Sequence, residues 1–323
     1  MTYDAIVVGG SYAGLSAALQ LVRARRRVLV VDAGRPRNRF ARTAHGFLGQ
    51  DGRAPLDIQR DAARLVTAYP TAELVRGEAI AAYAVDGNFT VAVADAEGRV
   101  REAAARRLVL ATGVTDELPP IPGMPERWGV TVLHCPYCHG YEVAGRPLGV
   151  IAAHALSAHA AALLPDWGPT TYFTQGAFEP DAEQAARLAA RGVAVERSPV
   201  VELLGRAPAL DAVRLADGRV VPLGAVFTAP RTRAASPLAA QLGCAFDEGP
   251  TGAYVRVDDL KRTPVPGVYA AGDAAAPMGN ATLASAAGMT AGVSAHQSLA
   301  LDVAERPRDV AGPTTRSTTH DRR

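Results

Sequence analysis

Cysteine, lysine and aromatic side chains are scarce in this sequence, and so is net charge. Three cysteines in 323 residues cannot staple a disulfide scaffold, so a packed core must hold the fold. Aromatics make up only 6%, and no apolar run is long enough to span a bilayer, so no membrane partner is expected. The 34 basic residues are offset by 32 acidic ones spread along the chain, and they build no basic stripe for nucleic acid. Lys261 is the one lysine; the other basic residues are arginines that form no recognisable cluster, a pattern of coding bias. Met1-Thr2-Tyr3-Asp4 lacks the basic start of a signal peptide, and the apolar run behind it ends in glycines. The expected compartment is a reducing cytoplasm, where a cysteine pair is chemical rather than structural.

What is present suits an α/β protein. Apolar residues reach 48% and glycine 31 positions, enough for two domains with close helix–strand contacts. Ala5-Ile6-Val7-Val8 reads as a strand buried on both faces, stopping at Gly9-Gly10-Ser11-Tyr12-Ala13-Gly14. A helix over 15–25 follows, then the strand Arg27–Asp32, which completes a βαβ unit. Strands are expected at Phe89–Ala94, Arg99–Ala103 and Leu108–Gly113, the last ending in glycine. Pro119-Pro120-Ile121-Pro122-Gly123 reads as a stiff linker. A second unit runs from Pro147-Leu148-Gly149-Val150-Ile151 through a helix at 157–164, strand Thr170–Phe173 and helix Asp181–Arg191. Strands follow at Val193–Glu196 and Val200–Leu204. The chain returns through Tyr254–Val257 and Gly267–Asp273 to a long small-residue helix, 281–301, and a polar tail at 304–323 expected to be disordered.

Gly9-x-Ser11-x-x-Gly14 has the context a dinucleotide fingerprint requires, between a strand and a helix. Gly9 permits the tight turn and Gly14 close packing. Ser11 replaces the glycine that meets the pyrophosphate, and its hydroxyl can donate to a phosphate oxygen. Asp32, 18 residues beyond Gly14, is placed to bind ribose hydroxyls.

His134-Cys135-Pro136-Tyr137-Cys138-His139 carries the chemistry. Two cysteines at this spacing close a small disulfide ring, and their thiols often ionise below the free value. The string also matches c-type haem attachment, but that requires export. Zinc needs four convergent ligands, and there is no second Cys-x-x-Cys, so no metal site is expected. A glutaredoxin would carry the string near the start of a small domain, and inert buried cysteines do not suit Pro136 and two flanking histidines. The redox reading stands. Cys244 reads as a small core residue.

Ala111-Thr112-Gly113 and Ala270-Ala271-Gly272-Asp273, with Asn280-Ala281-Thr282 behind, resemble the motifs of two-domain flavoprotein disulfide reductases. Up to the tail, the chain resembles the low-molecular-weight thioredoxin reductases. That resemblance implies two Rossmann-like, three-layer α/β domains: an FAD domain, 1–116 and 246–323, split by an NADPH-type domain, 117–245, carrying Cys-x-x-Cys. It implies FAD as cofactor, with Asp273 at the ribityl–pyrophosphate region, Asn280, Ala281 and Thr282 beside the isoalloxazine, and Asp32 to Asn38 (Gly34 and Arg37 among them) on the adenosine side. It also implies a homodimer. The reductases have an Asp after the second cysteine, where this chain has His139. With His134 and Ser11-Tyr12, that departure is more similar to the dithiol oxidases of gliotoxin and holomycin biosynthesis.

The inserted domain should carry its own Gly-x-Gly-x-x-Ala after Ile151. It has Ala152-Ala153-His154-Ala155-Leu156-Ser157, and the next strand leads into Glu179 and Asp181 rather than arginines. An anion would meet neither backbone donors nor positive charge. Without a nicotinamide donor, electrons must run from thiol to flavin to an external acceptor, of which O2 is the simplest. The expected activity is oxidation of a small-molecule dithiol to an intramolecular disulfide, with H2O2 released. Cys135 exchanges with substrate, the resemblance puts Cys138 nearer the flavin, and His134 or His139 takes the substrate proton. His45 is a further candidate near the flavin. The alternatives are an NAD(P)H- or ferredoxin-driven disulfide reductase and a redox-sensing flavoprotein without turnover.

Overall fold

The structure is a computed structural model that describes residues 2–302; the tail at 304–323 lies outside the described residues. The chain opens with β1 (Thr2–Val8), α1 (Tyr12–Arg23) and β2 (Val28–Asp32). Residues 5–8 are apolar throughout because β1 is hydrogen-bonded in parallel on both sides and covered on both faces. Next come α2 (Pro55–Thr67), β3 (Ala72–Arg76), β4 (Glu78–Val85) and β5 (Asn88–Ala94). They lead into β6 (Val100–Leu110), a single strand where two were expected. Its first half pairs antiparallel with β5, and its second half runs parallel beside β1. Arg106 and Arg107 fall where the strand changes partners, and they break the apolar pattern that a continuous strand would show.

The chain leaves through β7 (Val114–Glu117) and enters the second unit at β8 (Val132–Leu133). There follow α3 (Pro136–His139), β9 (Leu148–Ile151), α4 (Ser157–Leu163), β10 (Thr170–Phe173), α5 (Ala182–Ala190) and β11 (Ala194–Glu196). A meander of β12 (Val200–Leu204), β13 (Ala212–Leu215) and β14 (Val220–Pro222) precedes β15 (Ala225–Phe227). The parallel sheet has the order β11-β10-β9-β15-β8. Helices α4 and α5 cover one face, where Ala158, Ala161 and Leu188 meet Tyr172 and Phe227. The meander covers the other, where Leu203, Val213 and Leu215 meet Ile151, Phe173 and Val226.

The return strand β16 (Arg231–Ala234) pairs antiparallel with β7, so both crossings between the units form one two-stranded ribbon. Helix α6 (Leu238–Gln241) already belongs to the first unit, since Leu238, Ala239 and Cys244 share a core with Ile6 and Val8. The return therefore falls earlier than residue 246, because apolar Leu238 packs under the first sheet as soon as the ribbon ends. A hairpin of β17 (Phe246–Glu248) and β18 (Ala253–Val255) leads to β19 (Val268–Ala270), which pairs parallel with the end of β6. The last described element is α7 (Ala281–Asp302). It crosses α1 at close range: a Cβ on Gly288 would stand 2.0 Å from the Ala13 carbonyl oxygen. Both units are thus three-layered, with a helical layer, a largely parallel sheet and an antiparallel meander. No described helix is long and apolar enough to cross a membrane.

Candidate active site

A cavity of about 920 Å³ runs from the carboxyl ends of β1 and β2 to Cys135 and Cys138 at the start of α3. That is near the top of the range of roughly 300–1,000 Å³ which small-molecule sites occupy. The turn from β1 to α1 forms its first wall. Gly9 has φ +113°, and a Cβ there would lie 2.1 Å from the Ala111 carbonyl oxygen; one on Gly14 would lie 1.7 Å from that of Gly9. Only glycine fits either place. Ser11 is the N-cap of α1, yet its side chain makes no cap bond, which leaves the hydroxyl free for a ligand.

Asp32 ends β2 as a buried carboxylate. It accepts from the Gly34 N–H at 2.9 Å, from Gln59 Nε2 at 3.2 Å and from Arg76. Of its roughly four lone-pair positions, three are taken, so a ribose hydroxyl would find about one. Sequence reasoning missed Gln59 and Arg76, and also Gly10, where a Cβ would lie 2.4 Å from Asp32 Cγ. The Gly9-Gly10 doublet was the one local signal. Gln59 also donates to the Gly10 carbonyl at 2.6 Å, tying α2 to the turn.

Arg37 grips two carboxylates. Its Nε and Nη2 reach Asp116 on β7 at 3.0 and 2.6 Å, and its Nη1 reaches Asp273 at 2.8 Å. Burial opposes the charge, but the two carboxylates outweigh it and raise the Arg37 pKa. Arg37 thus clamps the ribbon to the Asp273 segment rather than standing free for the adenosine side. Asn38 Nδ2 donates to the Tyr12 hydroxyl at 3.0 Å. At the far wall, Ala111, Thr112 and Gly113 end β6; Gly272, Asp273 and Asn280 to Thr282 lead into α7. Asn280 Oδ1 accepts the Leu283 N–H at 2.8 Å and so caps α7, whose positive end meets the cavity.

Cys135 and Cys138 form a disulfide with Cα atoms 5.2 Å apart, and both line the cavity. Tyr137 between them is exposed and meets Trp167 edge to face at 5.8 Å. The two histidines face different surroundings. His134 is half-buried; burial lowers its pKa, Arg37 adds to that, and Asp116 and Asp273 oppose it. His139 lies 6.1 Å from His45, ring to ring. Its pKa is lowered by burial, with Glu142 pulling the other way and His45 adding to the fall. His45 in turn stands 2.9 Å from Thr43 Oγ1 and 3.4 Å from both Glu142 and Asp51. Cys244 is buried in the first core, and burial pushes its thiol up. Among the described residues no cluster of three or more His, Cys, Asp or Glu could hold a metal ion.

The corresponding turn of the second unit is closed on itself. Ser157 Oγ accepts the N–H groups of Ala153 at 3.1 Å and His154 at 3.3 Å, and His154 Nδ1 accepts that of Leu156 at 3.1 Å. Those are the amides a pyrophosphate would use. Beyond β10, Asp181 caps α5 and Glu179 pairs with Arg197 at 3.1 Å.

A glycine cradle, a free serine hydroxyl, a helix N-terminus at the far wall and a disulfide in one cavity fit FAD. They define a flavin-linked disulfide oxidoreductase, and its cofactor is FAD. The chain belongs to the pyridine nucleotide-disulphide oxidoreductase family, whose model matches residues 3–291. It is similar to thioredoxin reductase tcpT of Claviceps purpurea, 31% identical over 93% of this chain and 95% of that protein. Thioredoxin reductase sirT of Leptosphaeria maculans is 29% identical over 95% and 97%. Among solved structures, an oxidoreductase from Agrobacterium tumefaciens is 50% identical with a TM-score of 0.87, over 93% of this chain and 99% of that one. HlmI is 37% identical with a TM-score of 0.84, over 94% of each. The expected resemblance to thioredoxin reductases and the two-domain α/β fold are borne out.

Proposed function

We propose that the protein is an FAD-dependent dithiol oxidase: it closes an intramolecular disulfide in a small-molecule dithiol, with O2 as acceptor and H2O2 as by-product. The observation that carries this reading is the self-closed turn at 152–157, which spends on Ser157 and His154 the donors a nicotinamide dinucleotide would need. The first substrate thiolate attacks Cys135 Sγ, the S–S bond breaks, and Cys138 leaves as thiolate. The second substrate thiolate attacks the substrate sulfur of the mixed disulfide, forming the product disulfide and freeing Cys135. The chemistry that FAD supplies when bound is two-electron acceptance from the dithiol pair and delivery to O2. Burial keeps His139 neutral at pH 7, ready to take the substrate proton, and His45 with Glu142 fixes its surroundings. Arg37 and Asp273 hold the cavity wall opposite.

With no NAD(P)H present, a small dithiol is expected to drive O2 uptake, giving one H2O2 per disulfide formed. No uptake, together with flavin bleaching by NADPH, would return the chain to NAD(P)H-driven disulfide reductases. Failure with both donors would leave a ferredoxin-driven reductase or a flavoprotein without turnover.

The working unit is a homodimer in the cytoplasm. Residues 281–301 contain no charged side chain, yet Leu283, Met289, Val293 and Leu301 of α7 are exposed. A helical stretch without Asp, Glu, Lys or Arg and with an open apolar side suits a second copy of this chain. Light scattering at micromolar concentration is expected to give twice the chain mass; a monomer mass would overturn this.

A further inference from the structure

Two stretches of chain meet at the redox segment, and both leave large hydrophobic side chains in solvent. Among the described residues, three of the five most exposed large hydrophobic side chains are Leu48 at 97%, Tyr141 at 84% and Tyr137 at 72%. Single exposed hydrophobics are ordinary, but these gather on the loop at 44–52 and on residues 137–142. The two stretches are neighbours. His45 Nε2 lies 3.4 Å from Glu142, the His45 and His139 rings stand 6.1 Å apart, and a Cβ on Gly46 would lie 3.8 Å from the Tyr137 carbonyl oxygen.

The loop is fixed at its base and holds Leu48 out at its tip. The Ala44 N–H donates to the Arg53 carbonyl at 2.8 Å, and the Gly52 N–H donates to that of Ala44 at 2.9 Å. Phe47 meets Tyr12 edge to face at 5.6 Å. The Gln50 N–H closes a turn on the Phe47 carbonyl at 2.8 Å, and Gly49 supplies the positive φ, +78°, at its third position. Leu48 is the second residue of that turn, so neither packing nor turn geometry calls for leucine there. Tyr141 opens the one-turn helix Tyr141–Val143, whose buried residue is Val143. The acids of the two stretches are Asp51 and Glu142, both beside His45, and neither stretch has Lys or Arg.

We propose that Leu48 and Tyr141 form a specificity-determining lip of the redox centre: they take the hydrophobic body of an uncharged dithiol while its sulfurs exchange at Cys135. This rests on the dithiol oxidase reading and deepens it by naming what the dithiol carries. The cavity lining includes Tyr137 but neither Leu48 nor Tyr141, so the lip lies outside the space that fits FAD. Covering the two side chains removes apolar surface from water, which favours an aliphatic or aromatic body. Asp51 and Glu142 disfavour a body that carries carboxylates. The bonds made and broken, and the electrons and protons passed on, are those of the exchange at Cys135 and Cys138 already proposed.

The test is anaerobic stopped-flow bleaching of the flavin in the holoenzyme by pairs of small dithiols, with FAD content as the folding control. ortho-Benzenedimethanethiol and dithiothreitol close disulfide rings of the same size; one has an aromatic body, the other a hydroxylated one. The ratio of their rates is expected to fall about fivefold in Leu48→Ser and in Tyr141→Ser. Leu48→Met and Tyr141→Phe, which keep the hydrophobic surface, should hold the ratio. Dihydrolipoamide is expected to outpace dihydrolipoate, and Asp51→Asn to narrow that gap. An unchanged ratio in both serine variants overturns the proposal, and so does dihydrolipoate reacting as fast as its amide. Bleaching by none of these dithiols would bring down the oxidase reading and the lip with it. O2 is absent from the measurement, so its failure as acceptor would leave this result standing.

Discussion

Cys135→Ser and Cys138→Ser are each expected to cut dithiol oxidation on the order of a thousandfold or more, with FAD still bound. The two sulfurs act as one unit: one takes the substrate as a mixed disulfide, and the other is the leaving group and the route onward for the electrons. Losing either removes the step, so the double variant should be no worse than the single ones. FAD retention follows from the layout of the cavity. The glycine cradle at Gly9 and Gly14, the Arg37–Asp273 pair and the α7 cap do not use the cysteines. Dithiol-dependent O2 uptake and the flavin-to-protein absorbance ratio read the two halves separately. Retained uptake in both single variants would mean that thiols deliver electrons without the pair, and would remove Cys135 and Cys138 from the mechanism.

The parts of this site that the sequence made legible are the parts with a local physical signature. Residues 5–8 and 28–32 stand out because strands covered on both faces must be apolar throughout. Gly9 and Gly14 stand out because backbone oxygens occupy the space of their missing side chains. The Cys-x-x-Cys pair needs only a single turn. What was hidden depends on long-range closure. Arg37 meets Asp116 and Asp273, 79 and 236 residues away, and no pattern around Arg37 distinguishes a clamp from a ligand. Gln59 is one polar residue of an amphipathic helix until α2 docks it against Gly10 and Asp32. His45 came into view as a candidate, but its pairing with His139 and Glu142 exists only once the loop at 44–52 packs beside residues 137–142. The turn at 152–157 was legible as a loss of glycine. That its amides are consumed by Ser157 and His154 follows only from the folded turn.

That closed turn leads to the second large effect: micromolar NADPH is expected to leave the flavin oxidised under anaerobic conditions, while a small dithiol bleaches it within the mixing experiment. A dinucleotide brings two backbone phosphates and NADPH a third, and each needs N–H donors or cations. At the second unit's turn the N–H groups of residues 153, 154 and 156 already have acceptors within the chain, so binding would first have to break those bonds. Where a 2′-phosphate would need arginine, Asp181 is spent on the N-terminus of α5 and Arg197 is neutralised by Glu179. A charge-assisted contact contributes about 1.5–3 kcal/mol, so losing two weakens binding by at least about a hundredfold. In the proposed reaction the dithiol needs none of these contacts, because it exchanges at Cys135, which lines the first cavity. Stopped-flow mixing separates the two donors. Flavin reduction by micromolar NADPH at catalytic speed would show that the domain holds a nucleotide despite its turn, and the electron flow proposed here would then run the other way.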